Sequence, residues 1–493
     1  MTRHDLLITN SRVVRPGVDE PERLDIGVTG GLITAVEPRL DPSDALEVFD
    51  AEGLLAFPGV VDAHQHWGIY NPLEIDADTE SRAAAQGGVT SGMTYIRTGQ
   101  YYLNKGGPYE EFMPEALERA GSRSFVDYAF HVAPMQRSHI DELDLLVDKF
   151  GVTSFKIFMF YGGHGLHGRS ADQSRFLMTP PDESYDVAHF EFVMRGLRAT
   201  RDRHPAIADA ISLSLHCETA EIMTAYTRMV EGAGELTGLA AYHASRPPHS
   251  EGLAITIASY LAHETDLPAI NLLHLSSRKA IDAATRMARA FPHIDFRREV
   301  TVGHLLADID TASGIGGKVN PPLRPREDVE ALWEAVHDGR IDWVVSDHAC
   351  CRAEDKFGDP ADDVFLAKSG FGGAEYLLSG LLTEGTRRGL PYGRIAELTS
   401  WNPAQRYGLW NKGTIAVGYD ADLALVDPSA SFVVSSEDSF SAQEYSPFEG
   451  MELAGPVRHT FLRGRQVLRH GNVVGEPSGR YLMRPATRSS ERS

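Results

Sequence analysis

Two imidazoles stand two residues apart in Asp62-Ala63-His64-Gln65-His66, directly after the apolar run at residues 54–61. In an extended strand, side chains at i and i+2 point to the same side, so His64 and His66 can grip one cation from a strand end. A pair held only by hydrogen bonds is the other reading of an isolated His-x-His. Further groups of the same competence follow. Lys156 lies inside the β-rich run 152–161, where an unpaired ammonium would be costly to bury. One solution is an amine deprotonated by burial and carboxylated by carbon dioxide, which turns a cation into a carboxylate able to bridge two metals. His216 ends the run 210–215, His274 ends 268–273 and Asp347 ends 341–346. Each is a metal-competent side chain at the carboxyl end of a short apolar strand.

These strands need a scaffold that brings their ends together. Segments 88–96, 124–132 and 294–302 are also strand-like, making eight in all, and helix-like stretches such as 113–120, 190–201, 252–263 and 278–290 separate most of them. The pattern predicts an α/β fold, a TIM (β/α)8 barrel, whose strand ends converge on one mouth so that ligands far apart in sequence meet there. Segments 6–14 and 24–36 before the barrel, and 413–415, 422–426 and 460–472 after it, alternate and turn like hairpins. They predict one small β-sandwich built from both chain ends. The expected organisation is residues 1–57 as the N-terminal part of the sandwich, 58–405 as the barrel, 406–482 as the C-terminal part, and 483–493 as a tail, loose or touching another subunit.

The chain has 493 residues, 42% of them hydrophobic, which is ample for a large core, and a formal net charge of −22. That charge argues against nucleic acid and anionic membrane surfaces as partners, since both require a concentrated positive patch. No run approaches the roughly 20 apolar residues that cross a bilayer, and the start lacks an apolar signal core. Three cysteines, two adjacent at Cys350-Cys351, argue against a disulfide scaffold and fit a reducing, cytoplasmic location.

The segments Asp62-Ala63-His64-Gln65-His66, Ser154-Phe155-Lys156-Ile157-Phe158-Met159, Leu215-His216-Cys217-Glu218, Leu273-His274-Leu275-Ser276-Ser277, Pro321-Pro322-Leu323-Arg324 and Ser346-Asp347-His348 resemble, in order, the motifs of the amidohydrolase superfamily. The resemblance is strongest to its cyclic amidase branch, the dihydropyrimidinases, hydantoinases and allantoinases, and runs from about Leu6 to about Leu482. It implies two divalent cations, zinc foremost, held by His64, His66, carboxylated Lys156 and Asp347 on one side and by carboxylated Lys156, His216 and His274 on the other. Water between two such cations ionises near neutral pH and can attack an amide carbonyl. The resemblance further implies Asp347 as the acid and base of the reaction and Tyr161 as a donor to the tetrahedral oxyanion. It also implies a homotetramer and a small cyclic amide, imide or ureide as substrate, with N6-carboxylysine at position 156.

The sequence departs from its relatives around the substrate. The turn Gly370-Phe371-Gly372-Gly373-Ala374-Glu375 carries no asparagine, Asn320 stands where a serine usually precedes the Pro-Pro-Leu-Arg run, and the bulky Trp67 follows His66. Asn320 and Trp67, with Tyr161, are the expected substrate contacts. The loop 162–184, with His164, His167, Arg169 and Arg175, is a lid candidate. His131 and His348 are read as core or supporting histidines, and Glu218 as a support for His216. A hydantoinase or dihydropyrimidinase activity leads these readings, with allantoinase or a linear amidase on the same centre as alternatives. A non-catalytic scaffold related to dihydropyrimidinases is the reading from another class, although such scaffolds have lost ligands that all six positions here retain.

Overall fold

The computed structural model describes residues 3–166 and 176–486. Eight parallel strands, β1 (Val60–Gln65), β2 (Val89–Ile96), β3 (Asp127–Val132), β4 (Ser154–Phe158), β5 (Ser212–His216), β6 (Ala269–Leu272), β7 (Asp295–Thr301) and β8 (Trp343–Val345), follow one another in spatial order. A bridge from Gln65 to His348 and a bond from the His66 N–H to the His348 carbonyl, 2.8 Å, join the first strand to the last. Asp62 reinforces that seam by accepting from the Ser346 N–H and hydroxyl. All residues of β1 to β6 and β8 are buried, as expected of parallel strands covered on one side by helices and filled with side chains on the other. This is the expected TIM barrel.

Local chemistry sets the helices that space these strands. Arg278–Ala290 begins where the Ser277 hydroxyl accepts from the Ala280 N–H, and it buries Ala280, Ile281, Ala283 and Ala284 along one stripe. Val187–Arg203 starts three residues before its apolar pattern does, because the Asp186 carboxylate caps the N–H groups of Ala188 and His189.

The two chain ends share one nine-stranded sheet. Leu55–Pro58, from before the barrel, pairs antiparallel with Leu423–Val426, from after it. Leu6, Ile8, Ile26, Ile33, Leu423, Leu425 and Phe461 form a separate apolar core there. Lys412 ties this sheet to the barrel: its amine, 1% exposed, lies 3.0 Å from Asp127 at the start of β3, 2.9 Å from Asp420 and 2.5 Å from Asp422.

Two segments near the expected boundaries pack against the barrel. The chain just beyond residue 405 still belongs to the barrel floor, where Tyr407 and Leu409 pack with Val61, Met93, Ala129 and Trp343. Arg484, inside the expected 483–493 tail, is 3% exposed and donates from its guanidinium to Ser154 Oγ at 2.6 Å and to the Phe130 carbonyl. Residues 487–493 lie outside the described part. Among the described residues, no helix is long and apolar enough to cross a membrane, and the three cysteines are buried and unpaired.

Candidate metal centre and substrate cavity

The barrel mouth gathers the expected ligands. His64 Nε2 and His66 Nε2 lie 3.1 and 3.3 Å from Asp347 Oδ1, so strands β1 and β8 supply one cluster of three donors. Lys156 Nζ, from β4, is 3.1 Å from His64 Nε2. The ring centres of His216 and His274, at the ends of β5 and β6, are 4.4 Å apart, and His274 is 5.4 Å from His64. His274 and Asp347 take φ values of +32° and +55°, a conformation that costs L-residues energy and that the surrounding fold imposes here.

Supporting groups decide which nitrogen of each ring faces inward. His64 Nδ1 is bound 2.8 Å from Glu299, His66 Nδ1 lies 3.0 Å from the Tyr102 hydroxyl, and His216 Nε2 lies 2.7 Å from Glu218. Each ring therefore keeps its other nitrogen for the centre. Burial lowers the pKa of His64, His66, His274 and His216, which favours the neutral, ligating form. Burial likewise brings the Lys156 amine down to about 7. Burial pushes Glu218 up, but Arg246, 2.6 Å away, and His216 outweigh it and hold the carboxyl at about 2. Burial drives Glu299 up to about 8 despite the N–H groups of Trp343 and His274 that it accepts.

A metal fits this donor set. Inward-facing bases without protons, a carboxylate among them, are costly to bury together unless a cation joins them. His274 Nδ1 is buried without a hydrogen-bond partner among the described residues.

The cavity over these groups is lined by His66, Tyr102, Lys156, Tyr161, His216, His274, Asn320, Asp347, Ser369 and Gly370, with Ile69, Phe158 and Phe160 among its apolar walls. Tyr161 reaches it because the chain leaves the strand after Phe158: the Tyr161 N–H bonds back to the Phe158 carbonyl at 3.1 Å, and the ring stacks on Phe158 at 4.6 Å. A regular strand would have turned it away from Lys156. Asn320 borders the cavity with its amide engaged, donating to the Leu166 carbonyl at 2.7 Å and accepting from the Tyr242 hydroxyl.

Trp67 does not line the cavity. It is fully buried in the turn that follows β1, with its ring 6.0 Å from Tyr128. His131 is a core histidine, stacked 4.1 Å from Tyr95 and bonded to Ser154 and to the Ala63 carbonyl. His348 lies 2.7 Å from Glu80 and faces the N–H groups of Gly373 and Ala374, away from the centre. Of the lid residues, His164 is bonded 3.1 Å from Thr224, whereas His167, Arg169 and Arg175 lie outside the described residues.

Sequence reasoning missed Glu299, Tyr102, Arg97 and Ser369. Arg97 carried a usable signal, a charged side chain at the end of a buried barrel strand.

A mouth of buried imidazoles, one lysine and one aspartate, opening on a small polar cavity, marks a barrel hydrolase with a metal-binding site. The chain belongs to the amidohydrolase family, whose model matches residues 209–467. A protein named allantoinase from Rubrobacter xylanophilus is 35% identical over 499 residues, covering 100% of both chains. The D-hydantoinase of Ralstonia pickettii is 29% identical, covering 97% of this chain and 99% of its own. The crystal structure of dihydropyrimidinase from Brevibacillus agri matches with a TM-score of 0.81 at 26% identity, covering 97% of this chain and 98% of the other.

Proposed function

We propose that the protein hydrolyses a ring C–N bond of a small cyclic ureide or amide of the hydantoin type. The observation that carries this reading is the convergence of His64, His66, Lys156, His216, His274 and Asp347 beneath a cavity bordered by Tyr161. Kinship with proteins named allantoinase and D-hydantoinase supports the substrate class. Allantoin and hydantoin share a five-membered ureide ring, and that common ring is the substrate proposed.

His64, His66, Lys156 as N6-carboxylysine and Asp347 would hold one divalent ion, and Lys156, His216 and His274 the second, zinc being the best match to imidazole and carboxylate donors. When bound, such ions acidify water and polarise a carbonyl. The chain's own part is to move the proton and steady the charge. Asp347 accepts the proton of the attacking water and returns it to the departing ring nitrogen. Tyr161 donates its hydroxyl hydrogen to the carbonyl oxygen as that oxygen becomes negative. Phe158 and Phe160 present an apolar wall, which strengthens both interactions by excluding water.

Within that class, allantoin is favoured by the 35% identity over the whole chain and by the Gly372-Gly373 turn, while Tyr161 speaks for hydantoin. We further read the protein as a cytoplasmic homotetramer, on the strength of the family resemblance and its three buried free cysteines. A ring-opening assay of zinc- or manganese-loaded protein, prepared with bicarbonate, against hydantoins, dihydropyrimidines, allantoin, cyclic imides and linear amides tests the proposal. Turnover of a five-membered ureide is expected; inactivity toward every cyclic substrate would return the chain to the scaffold reading.

A further inference from the structure

Arg97 follows β2 and is buried, 1% exposed, without a carboxylate partner among the described residues. Its Nη1 donates to the Thr98 carbonyl at 3.0 Å, while Nε and Nη2 are buried without an acceptor at hydrogen-bond distance among the described residues. Aromatic rings surround it instead. The guanidinium carbon lies 4.4 Å from the ring centre of Phe176, 5.3 Å from Tyr161 and 5.7 Å from Tyr102. The backbone makes room for this box: Gly99 has a φ of +109°, and a Cβ there would stand 2.7 Å from Arg97 Nη1. Tyr161 and Tyr102 both border the cavity, and Tyr102 also bonds His66.

A desolvated cation with unsatisfied N–H groups destabilises a fold unless something nearby uses its charge. Of the rings in this box, Tyr161 and Tyr102 also face the reacting site. We infer that Arg97 is a positioning residue, whose guanidinium holds the Tyr161 ring in the cavity wall and polarises its hydroxyl as a donor to the oxyanion. A cation beside a phenol stabilises negative charge on the phenolic oxygen, so the O–H becomes a stronger donor where negative charge develops. Burial pushes the Tyr161 phenol up, and the Arg97 guanidinium pulls against that rise. The inference rests on the cyclic-amide reading only in taking Tyr161 as the oxyanion donor.

The test uses the full chain loaded with zinc in the presence of bicarbonate. A fluorinated tyrosine placed at position 161 ionises in an accessible pH range and is titrated by absorbance. Arg97→Met is expected to raise that titration by about one unit or more, and Arg97→Lys by less, one unit being a tenfold change in the ionisation constant. In kinetics on a ring substrate, Arg97→Met is expected to lower kcat by about tenfold with little change in KM, and to add nothing in a Tyr161→Phe background. Should Arg97→Met fail to fold, Arg97→Gln keeps N–H donors without the charge and is expected to give the same upward shift. An unmoved titration, or an equal loss of kcat with and without the Tyr161 hydroxyl, overturns the inference. Wild-type protein inactive on all cyclic substrates overturns the cyclic-amide reading instead, and the titration still decides whether Arg97 acts on Tyr161.

Discussion

Lys156 Nζ and His64 Nε2 are 3.1 Å apart although 92 positions separate them in the sequence. With His64 Nδ1 committed to Glu299, Nε2 is left as an acceptor, and the bare amine occupies the nitrogen that a cation would take. Carboxylation of the amine removes that obstruction and adds oxygen donors. Lys156→Ala is therefore expected to abolish both metal retention and activity, with partial rescue by short-chain carboxylates that replace the missing bridge. Metal content by elemental analysis, with and without added carboxylate, checks this; full activity in the variant would remove the lysine from the mechanism.

Assembly of the centre should depend on pH through the same amine. Its pKa is lowered to about 7, so the ammonium, which has no lone pair for carbon dioxide, dominates below that value and the free amine above it. Metal uptake by metal-free protein in bicarbonate should be about tenfold slower near pH 6 than on a plateau above about pH 8, as one pH unit changes the amine fraction tenfold. A rate of uptake flat across that interval would count against carboxylation of Lys156.

Asp347 lies within 3.3 Å of both inward nitrogens of the His-x-His pair. Asp347→Asn preserves shape and removes the proton acceptor. We expect a folded protein with thermal stability close to the parent and turnover lowered by at least about a hundredfold, the usual range for losing an acid or base. Steady-state kinetics beside a melting curve separate the two effects, and near-normal turnover would dismiss the assigned role.

Glu299 is the acceptor that fixes the His64 ring and the His274 backbone together. Glu299→Gln keeps the volume but puts an NH2 group in place of one of the two oxygens that face His64 Nδ1, the His274 N–H and the Trp343 indole N–H. Metal affinity, measured by competition with a chelator, should fall by about 10- to 100-fold, the common cost of losing such a partner. Unchanged affinity would make Glu299 a purely structural member of β7.

Away from the mouth, Lys412→Met should be strongly destabilising. The substitution leaves Asp127, Asp420 and Asp422 close together with Arg463 as the remaining cation, which is bonded to Asp127. Breaking a buried ion network by removing one partner costs about 3–5 kcal/mol, so denaturant melts should show a large drop in midpoint. A shift under about 1 kcal/mol, the scale of a surface pair, would show that the cluster reorganises at little cost.

Much of this site was readable because barrel chemistry sits at strand ends, and an apolar run that stops at His216, His274 or Asp347 marks both the strand and its functional tip. Arg278–Ala290 was legible to the residue, its stripe and cap being local. What escaped depended on tertiary neighbours. Glu299 follows Arg297 and Arg298 and reads as part of a polar interruption until β6 and β8 flank it and supply the His274 and Trp343 donors. Tyr102 belongs to a loop in which Tyr101, Tyr102 and Asn104 all have positive φ, a path no periodicity describes. Trp67 lies in the turn after β1 and packs into the core, a direction that strand alternation does not set. Arg484 looked like tail because a charged residue near a terminus is normally solvated, and only the barrel floor gives it acceptors.

The pairing of Leu55–Pro58 with Leu423–Val426 sets an order on biogenesis. A chain emerging from the ribosome completes its first apolar strands long before their hydrogen-bonding neighbour is translated. Until then it carries an open, sticky margin of the kind that recruits chaperones or joins other chains. Truncations that leave every catalytic group intact but stop short of residue 423 should therefore accumulate as insoluble material.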